Sequence, residues 1–282
     1  MTLDRRDFES FARAVEALEP FHEDLVFVGG WAHYLYTLRP EASPITFEPL
    51  RTEDADIATP AQLRRSTPTI AECLFDAGFR ELLSSEHTPP IAEYVLGDEH
   101  AGFYLEFLAP LVGSEVKRGG RRAVATMVGG VTAQTLRYLD LLLTFPWQVT
   151  VNSRHGFPVA RPRIISIPNV AAYIVQKMLV LPKRKPEKQA KDLLYVHDTF
   201  AIFADALGSV RNSWNALRPT MHPAHVRAFE KRVLSDMSEM TDLIRRAAKI
   251  ASDRPSPPTP DMLLAALRLG FSAAFEVTGA SR

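Results

Sequence analysis

Val26-Phe27-Val28-Gly29-Gly30-Trp31-Ala32-His33-Tyr34 is a short apolar, partly β-branched run that halts at two glycines and continues with helix-compatible residues. It reads as a buried strand over residues 25–28, a Gly-Gly turn, and a helix over residues 31–38. Two adjacent glycines let the backbone approach a ligand closely and expose amide N–H groups, and with the helix start beyond them they favour an anion. A plain tight turn uses the same two residues. No Gly-Lys-Ser/Thr follows, so this is not a Walker loop, and the dinucleotide pattern G-x-G-x-x-G is also absent.

Moving outward, Arg39-Pro40 opens a loop that reaches Pro49, and Arg51-Thr52-Glu53-Asp54-Ala55-Asp56-Ile57 follows. If residues 54–57 form a strand, Asp54 and Asp56 share a face with Cα atoms about 6.5 Å apart. Two carboxylates at that spacing can converge on a hard divalent cation, and without one their charges repel. An Asp-x-Asp pair in an exposed loop would carry no such meaning. Glu106 weighs on that choice. It lies inside Gly102-Phe103-Tyr104-Leu105-Glu106-Phe107-Leu108, a strongly strand-like segment, where an unpaired buried carboxylate is costly. A sheet bringing Glu106 beside the aspartates would complete a three-carboxylate cluster suited to two-metal phosphoryl transfer. A position on the polar face of an edge strand is the alternative.

Strand, Gly-Gly, helix, a loop of some fifteen residues, Asp-x-Asp and a later strand carboxylate, in that order, resemble the nucleotidyltransferase superfamily of polymerase-β-like enzymes. Val28-Gly29-Gly30 and Asp54-Ala55-Asp56 carry the likeness. The wording Arg51-Thr52-x-Asp54-x-Asp56 is more narrowly similar to the AbiEii-like nucleotidyltransferases, which act as toxins of toxin–antitoxin pairs. Those proteins also carry a lysine on a later helix and a basic-Asp motif beyond it, positions that Lys177 and Lys191-Asp192 fit. Here Gly30 stands where that family often has Ser, Glu106 where it often has Asp, and Tyr195 where it tends to place a further Asp.

The resemblance implies an α/β (α+β) fold, with a nucleotidyltransferase-like mixed sheet and flanking helices over residues 1–168 and a helical region over 169–282. It implies transfer of a nucleoside monophosphate from an NTP such as ATP to a hydroxyl, with Mg²⁺ or Mn²⁺ and release of pyrophosphate. Asp54, Asp56 and Glu106 would be the catalytic and metal-holding residues, with Glu106 as third ligand or base. Gly29, Gly30, Lys177, Lys191 and Asp192 would bind the nucleotide, with Asp192 orienting Lys191 or the acceptor. RNA (tRNA included) or protein would accept the nucleotide, and an antitoxin protein is the implied partner. Two rivals stay open: an inactive protein of this fold that binds a partner or nucleotide, and an antibiotic-type transferase acting on a small molecule.

The rest of the chain narrows this without deciding it. Thirty-three basic residues balance thirty-three acidic ones among 282, which argues against a general polyanion-coating protein. Two local basic stretches, Lys117–Arg122 and Lys183–Lys185, read mainly as solvated loops and secondarily as RNA or phosphate contacts, whereas Lys191-Asp192 begins an apolar helix and reads as inward-facing. Cys73, the single cysteine, excludes an intramolecular disulfide and a cysteine zinc site, suits a reducing cytoplasm, and reads as buried filler. No apolar run is long enough to span a bilayer, and the start of the chain lacks a signal-peptide pattern. Helical spacing covers residues 7–19, 69–77, 171–181, 190–207, 222–251 and 260–275. Strand patterns cover 79–83, 92–96, 102–108, 122–128, 147–152 and 157–167, and 136–143 fits either.

Overall fold

The computed structural model describes residues 5–50, 52, 54–63, 67–84, 91–97, 102–113 and 125–277. The basic turn at 117–122, Arg51 and Glu53 lie outside these. The chain divides into two compact units: residues up to Leu38 together with Arg51–Pro168, and Arg39–Leu50 together with Asn169 onward.

The first unit is built on a nine-stranded mixed sheet. Its strands are β1 (Val26–Val28), β2 (Asp54–Ala58), β3 (Arg80–Ser84), β4 (Ile91–Leu96), β5 (Phe103–Pro110), β6 (Ala125–Val128), β7 (Val131–Leu136), β8 (Trp147–Val151) and β9 (Arg163–Ile167). The main path runs β3-β4-β5-β2-β1-β9-β8. β5 is therefore an interior strand, parallel to β2 on one side. On its other side it is antiparallel to β4 over its first half and parallel to β7 at its end. The edge-strand position considered for Glu106 does not arise, because both backbone edges of β5 are paired.

Alternation along these strands sorts residues between two faces. Phe27, Ala55, Ile57, Leu105 and Phe107 point to one face and are fully buried. Helix α1 (Arg5–Ala17) buries Phe11, Ala12, Ala14 and Val15. Phe11 meets Phe27 at 5.3 Å and stacks on Trp31 of α2 (Gly29–Leu35) at 4.1 Å. On the other face Val26, Val28, Ala58 and Leu108 form an apolar patch with Leu139 and Leu142 of α4 (Leu139–Leu142). So residues 136–143 divide: strand up to Leu136, then a helical turn. Helix α3 (Ile70–Asp76) starts at a capping box in which Thr69 and Glu72 satisfy each other's backbone amides. Cys73 on it is half-buried rather than buried.

The second unit is helical: α5 (Val170–Val180), α6 (Pro186–Ile202), α7 (Leu207–Leu217), α8 (Pro223–Asp236), α9 (Asp242–Ile250) and α10 (Pro260–Phe275). The single helix expected over 222–251 is two. Thr241 accepts from the Ile244 amide and starts α9 afresh after α8 ends at Asp236. The pattern over 190–207 likewise ends at Ile202 and restarts as α7. An aromatic cluster fills this unit, with Phe200 5.1 Å from Phe271 and Trp214 5.3 Å from Phe275. Residues 39–50 belong to it by contact: Ser43 donates its amide to the Ile202 carbonyl at 2.7 Å, and Phe47 lies under the Arg254 guanidinium at 4.4 Å.

Candidate active site

The strand β1 ends at Val28, and Gly29 begins α2 with φ of +65°, a left-handed conformation that costs a residue bearing Cβ. The need for glycine is also steric, since a Cβ on Gly29 would stand 2.1 Å from Asp56 Oδ2. The Gly-Gly turn and the second aspartate are thus in direct apposition, although 27 positions separate them in the chain.

Register brings the remaining carboxylates onto that face. Val28 pairs with Asp56 across the antiparallel β1–β2 ladder. Asp56 pairs with Glu106, and Asp54 with Tyr104, across the parallel β2–β5 ladder. Glu93 pairs with Glu106 from β4. Residues opposite each other in a ladder share a face, so Asp54, Asp56, Glu106 and Glu93 occupy one side of the sheet. It is the side of the Val26–Leu108 patch, but toward the N-terminal ends of β2 and β5, beyond the part packed on α4. Asp54, Asp56, Glu106 and Glu93 are all half-buried. The concentrated negative charge is felt at Tyr104, whose phenol is pushed well above its ordinary range by burial first and then by Asp54, Glu106, Glu93 and Asp56.

Among the described residues, no three His, Cys, Asp or Glu side chains are gathered closely enough to hold a metal ion by themselves. The donor chemistry nonetheless fits Mg²⁺, which takes one or two carboxylates and completes its shell with substrate phosphates and water. Hard anionic oxygens on one face, one of them against a glycine backbone, meet that description.

Lys177, Lys191 and Asp192 belong to the second unit. Lys177 lies on α5, whose residues from Val170 to Leu179 are all buried. Its Nζ donates to Asp192 Oδ1 at 2.6 Å and sits 4.7 Å from the Tyr195 ring. Arg184 Nε lies 3.3 Å from Asp192 Oδ2, so that residue is more than the solvated loop cation expected of it. Lys191 Nζ lies 5.8 Å from the centroid of the same Tyr195 ring. Asp192, read from sequence as orienting Lys191 or the acceptor, is the counter-ion of Lys177 and Arg184. Tyr195, noted in sequence only as a departure, has both lysine ammonium groups near its ring, Lys191 standing one helical turn before it.

Sequence reading missed Tyr104 and Glu93. Tyr104 had a usable signal, its spacing of two from Glu106 within one strand; Glu93 had none, because its place depends on β4 pairing with β5. His33 is wholly buried, in keeping with core packing.

A family model described as nucleotidyltransferase matches residues 6–218. The chain belongs to the nucleotidyltransferase family. It is therefore a transferase, and the matched span contains Gly29, Gly30, Asp54, Asp56, Glu106, Lys177, Lys191 and Asp192. No curated protein matches it. Among the described residues no single helix is long and apolar enough to cross a membrane.

Proposed function

We propose that this nucleotidyltransferase moves a nucleoside monophosphate from an NTP to a hydroxyl of an RNA, tRNA being the first candidate, in the cytoplasm. The observation that carries the reading is the register pairing of Asp56 with Glu106 beside Gly29. Asp54 and Asp56 would hold Mg²⁺ or Mn²⁺, with Glu106 next to them. Such a cation, when bound, neutralises phosphate charge and polarises the phosphoryl oxygens. Gly29 and Gly30 offer backbone amides to the triphosphate without side-chain obstruction. Glu106 accepts the proton of the attacking hydroxyl. The new bond joins that oxygen to the α-phosphorus, the bond from the α-phosphorus to the bridging oxygen breaks, and pyrophosphate leaves.

Lys177, Lys191 and Asp192 are proposed as nucleotide-binding residues on chemistry alone: a lysine is a compact charge suited to phosphate oxygens, and Asp192 holds one in place. The AbiEii-like wording around Asp54 supports a toxin role with an antitoxin partner.

Incubation with each labelled NTP, Mg²⁺ and total tRNA tests the reading. Label is expected on tRNA with the wild type and absent with Asp56→Ala at unchanged melting temperature. Full transfer by Asp56→Ala would overturn the metal assignment, and label on a small molecule or protein would replace the acceptor.

A further inference from the structure

We propose that Tyr104 is the acceptor-side contact of this site, donating a hydrogen bond from its phenol to the RNA end that receives the nucleotide and offering its ring to a base. The inference rests on the nucleotidyl-transfer reading above and adds the residue that positions its second substrate.

Position comes first. Tyr104 and Glu106 alternate along β5 and so share a face, with Tyr104 opposite Asp54 and Glu106 opposite Asp56. Asp56 is the aspartate against Gly29. Asp54 lies two residues further along β2, about 6.5 Å from it at strand rise. If the triphosphate lies at the diglycine turn, Asp56 serves that end, and Asp54 with Tyr104 faces the end where the attacking hydroxyl must come. Glu106, opposite Asp56 and two residues from Tyr104, remains within the same face to take the proton.

Chemistry selects the role. A phenol hydroxyl is a hydrogen-bond donor and a poor base at neutral pH. Tyr104 is half-buried, with Val95 its neighbour from β4 and Asp54 its neighbour from β2, so part of the side chain is solvent-exposed. An aromatic side chain of this kind stacks on an unpaired base at an RNA terminus, where bases are free to splay out.

The test compares wild type, Tyr104→Phe and Tyr104→Ala with labelled NTP, Mg²⁺ and total tRNA, and separately measures Mg²⁺-NTP binding by equilibrium dialysis. Tyr104→Phe is expected to raise the KM for tRNA by about fivefold to tenfold, the worth of one hydrogen bond. Tyr104→Ala should raise it further, and the nucleotide Kd should stay at the wild-type value in both. A variant pair with wild-type KM for tRNA, or one whose loss lies in the nucleotide Kd, overturns the proposal while leaving the transfer reading intact. A wild type that labels another acceptor but no tRNA overturns this inference, and one that labels nothing overturns the transfer reading as well. Melting curves identify a Tyr104→Ala protein that has merely lost its fold, in which case Tyr104→Phe decides.

Discussion

At Gly29 two independent demands coincide, a left-handed φ and a Cβ-free approach to Asp56. The conformational part costs about 1–2 kcal/mol for an L-residue. The steric part falls on a carboxylate that must rotate away, so the substitution Gly29→Ala is expected to lower transfer more than its modest drop in melting temperature would suggest. Equal activity in the two proteins, assayed beside their melts, would remove the close approach from the argument. His22 supplies a pH dependence of another kind. Burial lowers its pKa from the ordinary 6.5, against a hydrogen bond with the Val15 carbonyl at 2.7 Å. The unfolded chain then binds the proton more readily than the folded one. This contribution to stability is present above pH 6.5 and is lost as pH falls from there toward the lower folded value. Melting temperatures across that window should fall less steeply for His22→Gln than for the wild type. Gly29 was legible as a turn and Asp56 as one of an acidic pair, whereas their direct apposition depends on the β1–β2 register.

At the level of elements, a period of two dictates that Asp54 joins Asp56, which the sequence reading used, and that Tyr104 joins Glu106, which it did not. Alternation cannot state which strands are neighbours. β5 received β2 and β4 as partners through backbone pairing that no local pattern encodes, and a slip of one residue would have turned Glu106 to the opposite face. Thr241 caps α9, yet the run over 222–251 masked that break because its apolar spacing continues on both sides. In α10 the sequence places Gly270 inside a helix, where alanine ordinarily gains about 1 kcal/mol. Here a Cβ would stand 2.4 Å from Cγ of the buried Phe200 ring. Overpacking of that kind costs about 1–3 kcal/mol, so Gly270→Ala is expected to lower the melting temperature; an increase would show that Phe200 yields.

On the scale of the whole molecule, the chain passes between its two compact units three times, because residues 39–50 group with the second. A simple cut at 168 therefore leaves that unit without Ser43, which bonds Ile202 and receives the Asp205 amide, and without Phe47 on Arg254. Arg254 is itself the partner of the fully buried Asp198 carboxylate. The fragment 169–282 is expected to melt below the same fragment supplemented with a peptide of residues 39–50, by calorimetry. Identical melts would return the division to the linear boundary read from sequence. What the residues alone determined was local: which segments alternate, where glycine permits a turn, and the order of turn, acidic pair and later carboxylate that points to nucleotidyl transfer. Those properties depend on neighbours in the chain, which a sequence records. The adjacency of Gly29 to Asp56, of Asp56 to Glu106 and of Lys177 to Asp192 was decided by the fold, because strand pairing and helix packing join residues far apart in the chain through a backbone hydrogen-bond ladder and a shared core.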